Sequence, residues 1–153
     1  MEVRGQDDET SPAAADPQVG LILDTDVLIR GEKQAAEVDF TRWAGHGDAY
    51  ISAITCSELL IGVHRANTPA RRARRSAYVE ALLARLPTLA FDATVARTHA
   101  QLLGALPRNV TLGAHDLIIG ATALAHGFAL LTANVADFRR MPGVVVVPFD
   151  MTT

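Results

Sequence analysis

Short apolar segments of this chain repeatedly end in, or lead into, an acidic side chain. The acids concerned are Asp24, Glu58, Asp116 and Asp137. Carboxylates are rare among Leu, Ile and Val unless some interaction compensates for their lost hydration. When several of them converge, their mutual repulsion must also be offset, and a bound divalent cation commonly does this. The pattern therefore predicts a metal site and, with it, hydrolysis of a phosphodiester.

Segments of strand length alternate with segments of helical periodicity. Apolar runs predict strands at residues 19–23, 50–54, 89–91, 128–132 and 144–147. Gly31 is expected to allow a break in the secondary structure before a first helix at residues 35–43. Further helices are predicted to start at residue 55, to cover 68–86 and 92–106, and to run past Asp116 as far as Gly127. This alternation predicts an α/β fold with a mainly parallel central sheet flanked by helices.

In parallel sheets, ligands collect outside the carboxyl ends of the strands. Asp24 follows the first predicted strand, Glu58 follows the second, and Asp137 follows the strand at residues 128–132. Asp116 opens a helix that can point into the same crevice. The sequence therefore predicts that these carboxylates meet at one edge of the sheet.

Each acid also has a simpler interpretation when it is taken alone. Glu58 lies three residues after Thr55, which is the spacing of a helix capping box, so its carboxylate can equally accept from a backbone N–H. Asp116 can serve only as a partner of the helix dipole. Asp26 is expected to point away from the site and to serve in a turn.

The composition is that of one globular domain. The chain has 153 residues, 49% of them apolar, which is enough to bury a core. The first 18 residues have no apolar cluster, so we expect a disordered tail, or a start assigned too early, before a folded domain at residues 19–153. No apolar run reaches the roughly 18 residues of a membrane span. Cys56 is the only cysteine, so no disulfide forms within the chain, a cytoplasmic location is expected, and Cys56 is interpreted as a packing residue.

The cations are unevenly distributed although the net charge is −3. Lys33 is the only lysine, and five arginines lie close together at Arg65, Arg71, Arg72, Arg74 and Arg75. Arginine matches the geometry of phosphate, so this cluster can hold an RNA backbone. A solvated helix face is the alternative interpretation, and the charge pattern alone does not decide between them.

Four motifs together resemble those of PIN-domain ribonucleases, and most closely the VapC toxins of bacterial type II toxin–antitoxin modules. They are LDTDVLI at residues 23–29, SELLIG at 57–62, DLIIGATA at 116–123 and LTANVADF at 131–138. The resemblance covers residues 19–149. It implies an endoribonuclease dependent on Mg²⁺ or Mn²⁺, which cleaves structured RNA such as tRNA or ribosomal RNA. It also implies a homodimer that is inhibited by a cognate VapB-type antitoxin.

The resemblance also implies roles for individual residues. Asp24 and Asp116 match the acids that principally hold the metal, and Glu58 matches a glutamate that binds the metal or its water. Many relatives have an acid at the position of Asn134, so either Asn134 or Asp137 completes the site. One metal or two therefore remain as alternatives.

Hydroxyl groups beside these acids are expected to orient them, and the candidates are Thr25 and Thr132. Oxygen ligands suit Mg²⁺ or Mn²⁺, and such a cation lowers the pKa of a bound water. Glu58 or Asp137 is expected to take a proton in the reaction. His115, next to Asp116, is a lesser candidate for contact with substrate. The antitoxin is expected to place a helix in an apolar groove near the early helices and a basic residue near the acids.

Two other functions compete with this interpretation. A phosphatase with an aspartyl nucleophile also begins with a strand and Asp-x-Asp, but it needs a downstream lysine, and Lys33 lies directly after the first motif. A non-catalytic PIN-like module that binds RNA or protein is the second alternative. The acids argue against this alternative, because without a metal they would only destabilise the fold of such a module.

Overall fold

Five parallel strands form the centre of the molecule. The computed structural model describes residues 19–33 and 40–150. The strands are β1 (Gly20–Leu23), β2 (Asp48–Ser52), β3 (Thr88–Leu89), β4 (Ala129–Thr132) and β5 (Val146–Pro148), in the order β3-β2-β1-β4-β5. Every adjacent pair is parallel. The predicted parallel α/β sheet is therefore confirmed, while the predicted tail at residues 1–18 lies outside the described residues.

Six α-helices occur in the described part of the chain. They are α1 (Thr25–Lys33), α2 (Ala53–His64), α3 (Pro69–Arg85), α4 (Ala93–Ala105), α5 (Ala114–His126) and α6 (Val135–Arg139), and a 3₁₀ helix covers Phe40–His46. None of these helices is long and apolar enough to cross a membrane.

Alternating side chains of the central strands face two separate apolar clusters. Leu21 and Leu23 pack into one cluster with side chains of α1, α2 and α3. Ile22 packs into the other cluster with side chains of α4 and α5. Because successive strand residues point to opposite faces, the sheet has helices on both sides. This arrangement leaves the carboxyl edge of β1 open between the two layers.

Most helix ends follow the sequence signals. The Thr68 side chain caps α3 directly before Pro69, and the Asp92 side chain caps α4 by accepting from the Val95 N–H over 2.9 Å. Helix α5 ends at Gly127, whose φ of 69° is in the left-handed region that favours glycine.

The first third of the chain differs from the prediction. Helix α1 begins directly after Asp24 and continues through Gly31, because Val27 and Leu28 are buried against the sheet. The predicted helix at residues 35–43 is wrong at its described end, where a 3₁₀ helix buries Trp43, and residues 34–39 lie outside the described part. Strand β2 ends at Ser52, two residues earlier than predicted.

Helix α2 also begins earlier than predicted, and this changes the interpretation of Glu58. Its cap is Ser52, whose side chain accepts from the Thr55 N–H over 3.2 Å. Thr55 is therefore inside the helix and not its cap. Glu58 consequently lies in the second turn, where a capping box does not reach.

Candidate metal centre

Asp24 lies at the carboxyl end of the central strand and is almost completely buried. Its side chain is only 4% exposed. Its Oδ1 accepts from the Thr25 N–H over 2.8 Å, and its Oδ2 accepts from the Thr132 hydroxyl over 2.7 Å. The Asp24 N–H donates to the Leu131 carbonyl over 2.9 Å, which continues the β1–β4 ladder. The carboxylate is thus held by the ends of two neighbouring strands.

A chain of buried hydroxyl groups orients Glu58. Thr25 Oγ1 donates to Glu58 Oε1 over 3.1 Å, and it also lies 2.9 Å from Thr55 Oγ1. Each hydroxyl has one proton to donate, so Thr55 donates to Thr25 in this arrangement. Ser52 donates in turn to Thr55 over 3.3 Å. Thr25 was predictable from sequence as an orienting group, but Ser52 and Thr55 were not, because both have the residue types of an ordinary helix cap.

Asp116 faces the other acids from the first turn of α5. Burial raises its pKa, and the negative charges of Asp137, Glu58 and Asp26 raise it further, while His115 lowers it. A Cβ added at Gly113 would lie 3.3 Å from Asp116 Oδ2, so the glycine leaves room for this carboxylate. Asp116 therefore lies close enough to Asp24, Glu58 and Asp137 for these charges to act on one another, and their assignment to one metal site stays a prediction.

Asn134 and Asp137, the two candidates for the fourth residue of the site, make different contacts. The Asn134 side-chain amide donates to Asp137 Oδ2 over 3.1 Å, and its backbone N–H donates to the Thr132 hydroxyl over 2.9 Å. Among the neighbouring acids, Asp137 has the largest effect on the pKa of Asp116. In this geometry Asn134 holds Asp137 in place.

Asp26 belongs to the same cluster, contrary to the expectation that it serves in a turn. It lies in the first turn of α1, where its carboxyl is within hydrogen-bonding reach of Asp24. Its Oδ1 is buried and has no hydrogen-bond partner in the described part of the chain. The Asp-x-Asp spacing was the available signal, but without α1 it predicted a side chain directed away from the site.

The carboxylates oppose one another's ionisation. Burial raises the pKa of Asp24 to about 7; the hydrogen bond from Thr132 lowers it, and the charges of Asp26 and Asp116 raise it. A nearby cation would favour the charged forms instead. All of these groups are oxygen donors, which Mg²⁺ and Mn²⁺ prefer, so the donor set and the unpartnered Asp26 oxygen fit such an ion.

The centre is open and not a closed cage. Within residues 19–33 and 40–150, no three His, Cys, Asp or Glu side chains are already grouped at the spacing of a formed metal site. A cation would therefore draw the carboxylates inward, or be held partly through water, as Mg²⁺ commonly is.

The arginines of the cluster differ in their contacts within the chain, although all of them except Arg75 are exposed. Arg75 donates to Glu32 Oε1 over 3.2 Å and to the Gly62 carbonyl over 3.0 Å, which joins α3 to α1 and α2. Arg71 donates to the Asn67 side chain and Arg72 to the Ala66 carbonyl. Arg65 and Arg74 are exposed. Several of these guanidinium groups therefore have structural contacts within the chain.

A groove of about 410 Å³ lies between α1, α2 and α3, directly beside the acidic centre. It is lined by Ile29, Glu32, Glu58, Leu59, Gly62, Arg75 and Val79. Glu58 thus belongs both to the acidic centre and to the wall of this groove. His115 is close as well, with Nδ1 3.8 Å from Glu58 Oε2.

A parallel sheet with acidic side chains near its carboxyl edge is the arrangement expected of a PIN domain. Comparison with known families agrees with this class. Residues 21–144 match the sequence model of the PIN domain. Ribonuclease VapC1 of Rickettsia felis is 39% identical over 130 residues, which cover 84% of this chain and 96% of that protein. Ribonuclease VapC4 of Mycobacterium tuberculosis is 35% identical over 127 residues, covering 82% of this chain and 94% of that protein.

Solved structures agree with the sequence relatives. DNA-bound VapBC from Salmonella typhimurium superposes with a TM-score of 0.76 at 28% identity, covering 85% of this chain and 98% of the matched chain. FitAcB from Neisseria gonorrhoeae superposes with a TM-score of 0.70 at 27% identity, covering 82% and 95%. The chain belongs to the PIN-domain family and, within it, to the VapC-type ribonucleases of toxin–antitoxin systems.

Proposed function

We propose that the chain is the toxin of a type II toxin–antitoxin module and acts in the cytoplasm as an endoribonuclease dependent on Mg²⁺ or Mn²⁺. The observation that carries the proposal is the convergence of Asp24, Glu58, Asp116 and Asp137 at the carboxyl edge of the sheet. Burial and mutual repulsion make this arrangement unfavourable without a cation. The VapC relatives support the same activity.

The residues divide the chemistry between them. Asp24 and Asp116 would hold the cation, which would supply a lowered pKa for a bound water and neutralisation of charge on the phosphate. Thr132 and Thr25 keep the Asp24 and Glu58 carboxylates oriented. Glu58 or Asp137 accepts the proton of the attacking water. Asn134 holds Asp137 in position for that role.

The substrate we propose is a structured RNA, either tRNA or ribosomal RNA. One relative, from Salmonella typhimurium, is named a tRNA(fMet)-specific endonuclease and is 34% identical over 95 residues, covering 61% of this chain and 70% of that protein. The exposed Arg65 and Arg74 would supply backbone affinity that the net charge of −3 conceals.

A cleavage assay tests the activity. Purified, antitoxin-free protein is incubated with total cellular RNA in Mg²⁺, in Mn²⁺ and in EDTA, and the fragments are sequenced. We expect discrete fragments that need the metal and disappear in Asp24→Asn and Asp116→Asn. The matched control is Asp48→Asn, which removes an exposed acid at the opposite end of a strand. Cation-independent cleavage, or cleavage retained in both site variants, would contradict the proposal.

Absence of cleavage would have two separate meanings. Folded protein that binds Mn²⁺ but cuts neither tRNA nor ribosomal RNA would contradict the proposed substrate class. Folded protein that binds no metal would favour a non-catalytic PIN-like module that binds RNA or protein.

We also propose that a VapB-type antitoxin occupies the groove between α1, α2 and α3. Ile29 is 38% exposed on its wall, and Glu58 connects the groove to the acidic centre. An apolar helix of the antitoxin that carries a basic side chain would cover Ile29 and neutralise the charge of Glu58. VapBC structures among the neighbours support such a partner.

Antitoxin binding is tested by calorimetry with Ile29→Asp and, as control, Val145→Asp, another exposed apolar position. We expect weaker binding only in Ile29→Asp, with RNA cleavage by the free toxin retained. A complex whose structure leaves the groove uncontacted would contradict the proposed site.

A homodimer is the assembly we propose for the free toxin. Phe91 is 47% exposed and Leu103 is 44% exposed, which leaves apolar surface on and just before α4. Light scattering at micromolar concentration should give twice the chain mass, and a monomeric mass would contradict this assembly.

A further inference from the structure

Asp26 lies near the four acids of the proposed metal centre, but the proposed function gives it no role. It is the second residue of α1, two positions after Asp24, and its charge acts on the carboxyls of both Asp24 and Asp116. It therefore lies near both the acid at the end of β1 and the acid at the start of α5.

The described surroundings of Asp26 leave one oxygen of its carboxylate without a donor. Its Oδ1 is buried without a hydrogen-bond partner in the described residues. A buried acceptor without a donor is unfavourable, and a charged one more so. The N-terminus of a helix does favour an acid in the first turn. That interaction is served equally well by an exposed carboxylate, so it does not account for a buried, unpartnered oxygen on a residue whose charge acts on two other acids.

Asparagine at position 26 would reduce the electrostatic repulsion at this position, whereas aspartate increases it. Asparagine has nearly the same shape and has two N–H donors that a neighbouring carboxylate can accept from. Aspartate instead adds a further negative charge to Asp24 and Asp116. The carboxylate is favourable at this position when a cation, or water bound to a cation, supplies the missing partner.

We propose that Asp26 is a fifth carboxylate of the cation centre, in contact with the divalent ion or with a water that the ion carries. The inference rests on the proposed metal dependence and adds a ligand that the four-acid arrangement lacks. The centre then has the excess negative charge needed to hold the ion although the acids are not arranged as a closed cage.

The test compares Asp26→Asn and Asp26→Ala with the wild-type chain in two measurements that do not depend on RNA cleavage. Calorimetric titration with Mn²⁺ gives the affinity, and thermal unfolding in EDTA gives the stability of the metal-free protein. We expect the Kd for Mn²⁺ to rise about tenfold or more in both variants. The metal-free midpoint of Asp26→Asn should rise, because repulsion and an unpartnered acceptor are removed together.

Two reference variants separate the possible outcomes. Asp48→Asn should change neither measurement, and Asp24→Asn should abolish Mn²⁺ binding. If Asp24→Asn loses Mn²⁺ while folded Asp26→Ala binds it within twofold of wild type, the role of Asp26 is wrong and the metal centre stands. If the wild-type chain itself binds no Mn²⁺, the metal centre and the role of Asp26 are both wrong.

Discussion

Thr132 donates a hydrogen bond to Asp24 Oδ2 across the ends of two adjacent strands, over a distance of 2.7 Å. Both side chains are buried, and the same Thr132 oxygen accepts from the backbone N–H of Asn134. The hydroxyl therefore connects β1, β4 and the start of α6. One threonine thus orients the acid on the central strand and fixes the turn that leads to Asp137.

Thr132→Val should weaken both the fold and the centre. It removes a donor to a buried carboxylate and an acceptor for a backbone N–H, so we expect unfolding free energy to fall by about 1–3 kcal/mol. The pKa of Asp24 should rise further, because this hydrogen bond lowers it. Urea unfolding and Mn²⁺ titration measure the two effects. Thr132→Ser, which keeps the hydroxyl, is the control, and equal losses in both variants would contradict this explanation.

The metal-free protein should lose stability as the pH rises from about 4 to about 7, between the ordinary pKa of an aspartate and that of Asp24 in the folded chain. Burial raises the pKa of Asp24 to about 7 in the folded state, so over this range the folded chain binds more protons than the unfolded chain. The free energy of unfolding therefore decreases with pH, on the order of 2–4 kcal/mol in total for this group. The raised pKa of Asp116 acts in the same direction.

The measurement is urea unfolding in EDTA at several pH values. Asp24→Asn is the comparison, since it has no carboxyl to titrate at that position and should show a shallower slope. Saturating Mg²⁺ should reduce or reverse the slope, because a cation binds the ionised carboxylates. A wild-type slope equal to that of Asp24→Asn would show that Asp24 titrates normally.

Asp137→Asn should reduce RNA cleavage more than Asn134→Ala. Asp137 carries a negative charge that acts directly on Asp116, while Asn134 acts by holding Asp137. We expect a loss of roughly 100-fold or more for Asp137→Asn and roughly 10-fold for Asn134→Ala. Single-turnover cleavage rates measure both, and the opposite order would make Asn134 the direct ligand.

The exposed and the bound arginines should respond differently to mutation. Arg75→Ala removes contacts to Glu32 and the Gly62 carbonyl and should lower unfolding free energy by about 1 kcal/mol. Arg74→Ala should leave stability unchanged and weaken RNA binding, with a shallower dependence on salt. Filter binding to catalytically inactive protein at several salt concentrations measures this. Unchanged RNA affinity in Arg74→Ala and Arg65→Ala would favour the solvated helix face.

The parts of the fold that follow local rules were predictable from sequence. Helix α3 has both a capping threonine and a proline at its first position, and α5 ends at a glycine with positive φ. The strands were recognisable because a parallel sheet covered on both faces needs continuous apolar runs. Their parallel pairing and the strand-end position of Asp24 then followed from the preference of βαβ units for parallel pairing, whereas the order of the strands came only from the structure.

Helix α1 could not be predicted in the same way. Gly31 lowers local helix propensity by about 1 kcal/mol relative to Ala, which favoured a break. The burial of Val27 and Leu28 against the sheet outweighs that preference. The cap of α2 was misjudged for a related reason, since Ser52 and Thr55 are both acceptable caps and only the end of β2 selects Ser52.

The sequence by itself determined the parallel α/β class and the four acids that meet at its edge, because strand length, helix caps and apolar runs are local properties. The tertiary structure decided the register of α1 and α2, and with it the positions of Asp26 and Glu58. It also linked Ser52, Thr55 and Thr25 into one hydrogen-bonded chain and tied Arg75 to Glu32. Apart from the local Ser52–Thr55 contact, these contacts join residues distant in sequence, so their partners are set by packing between elements and not by local propensity.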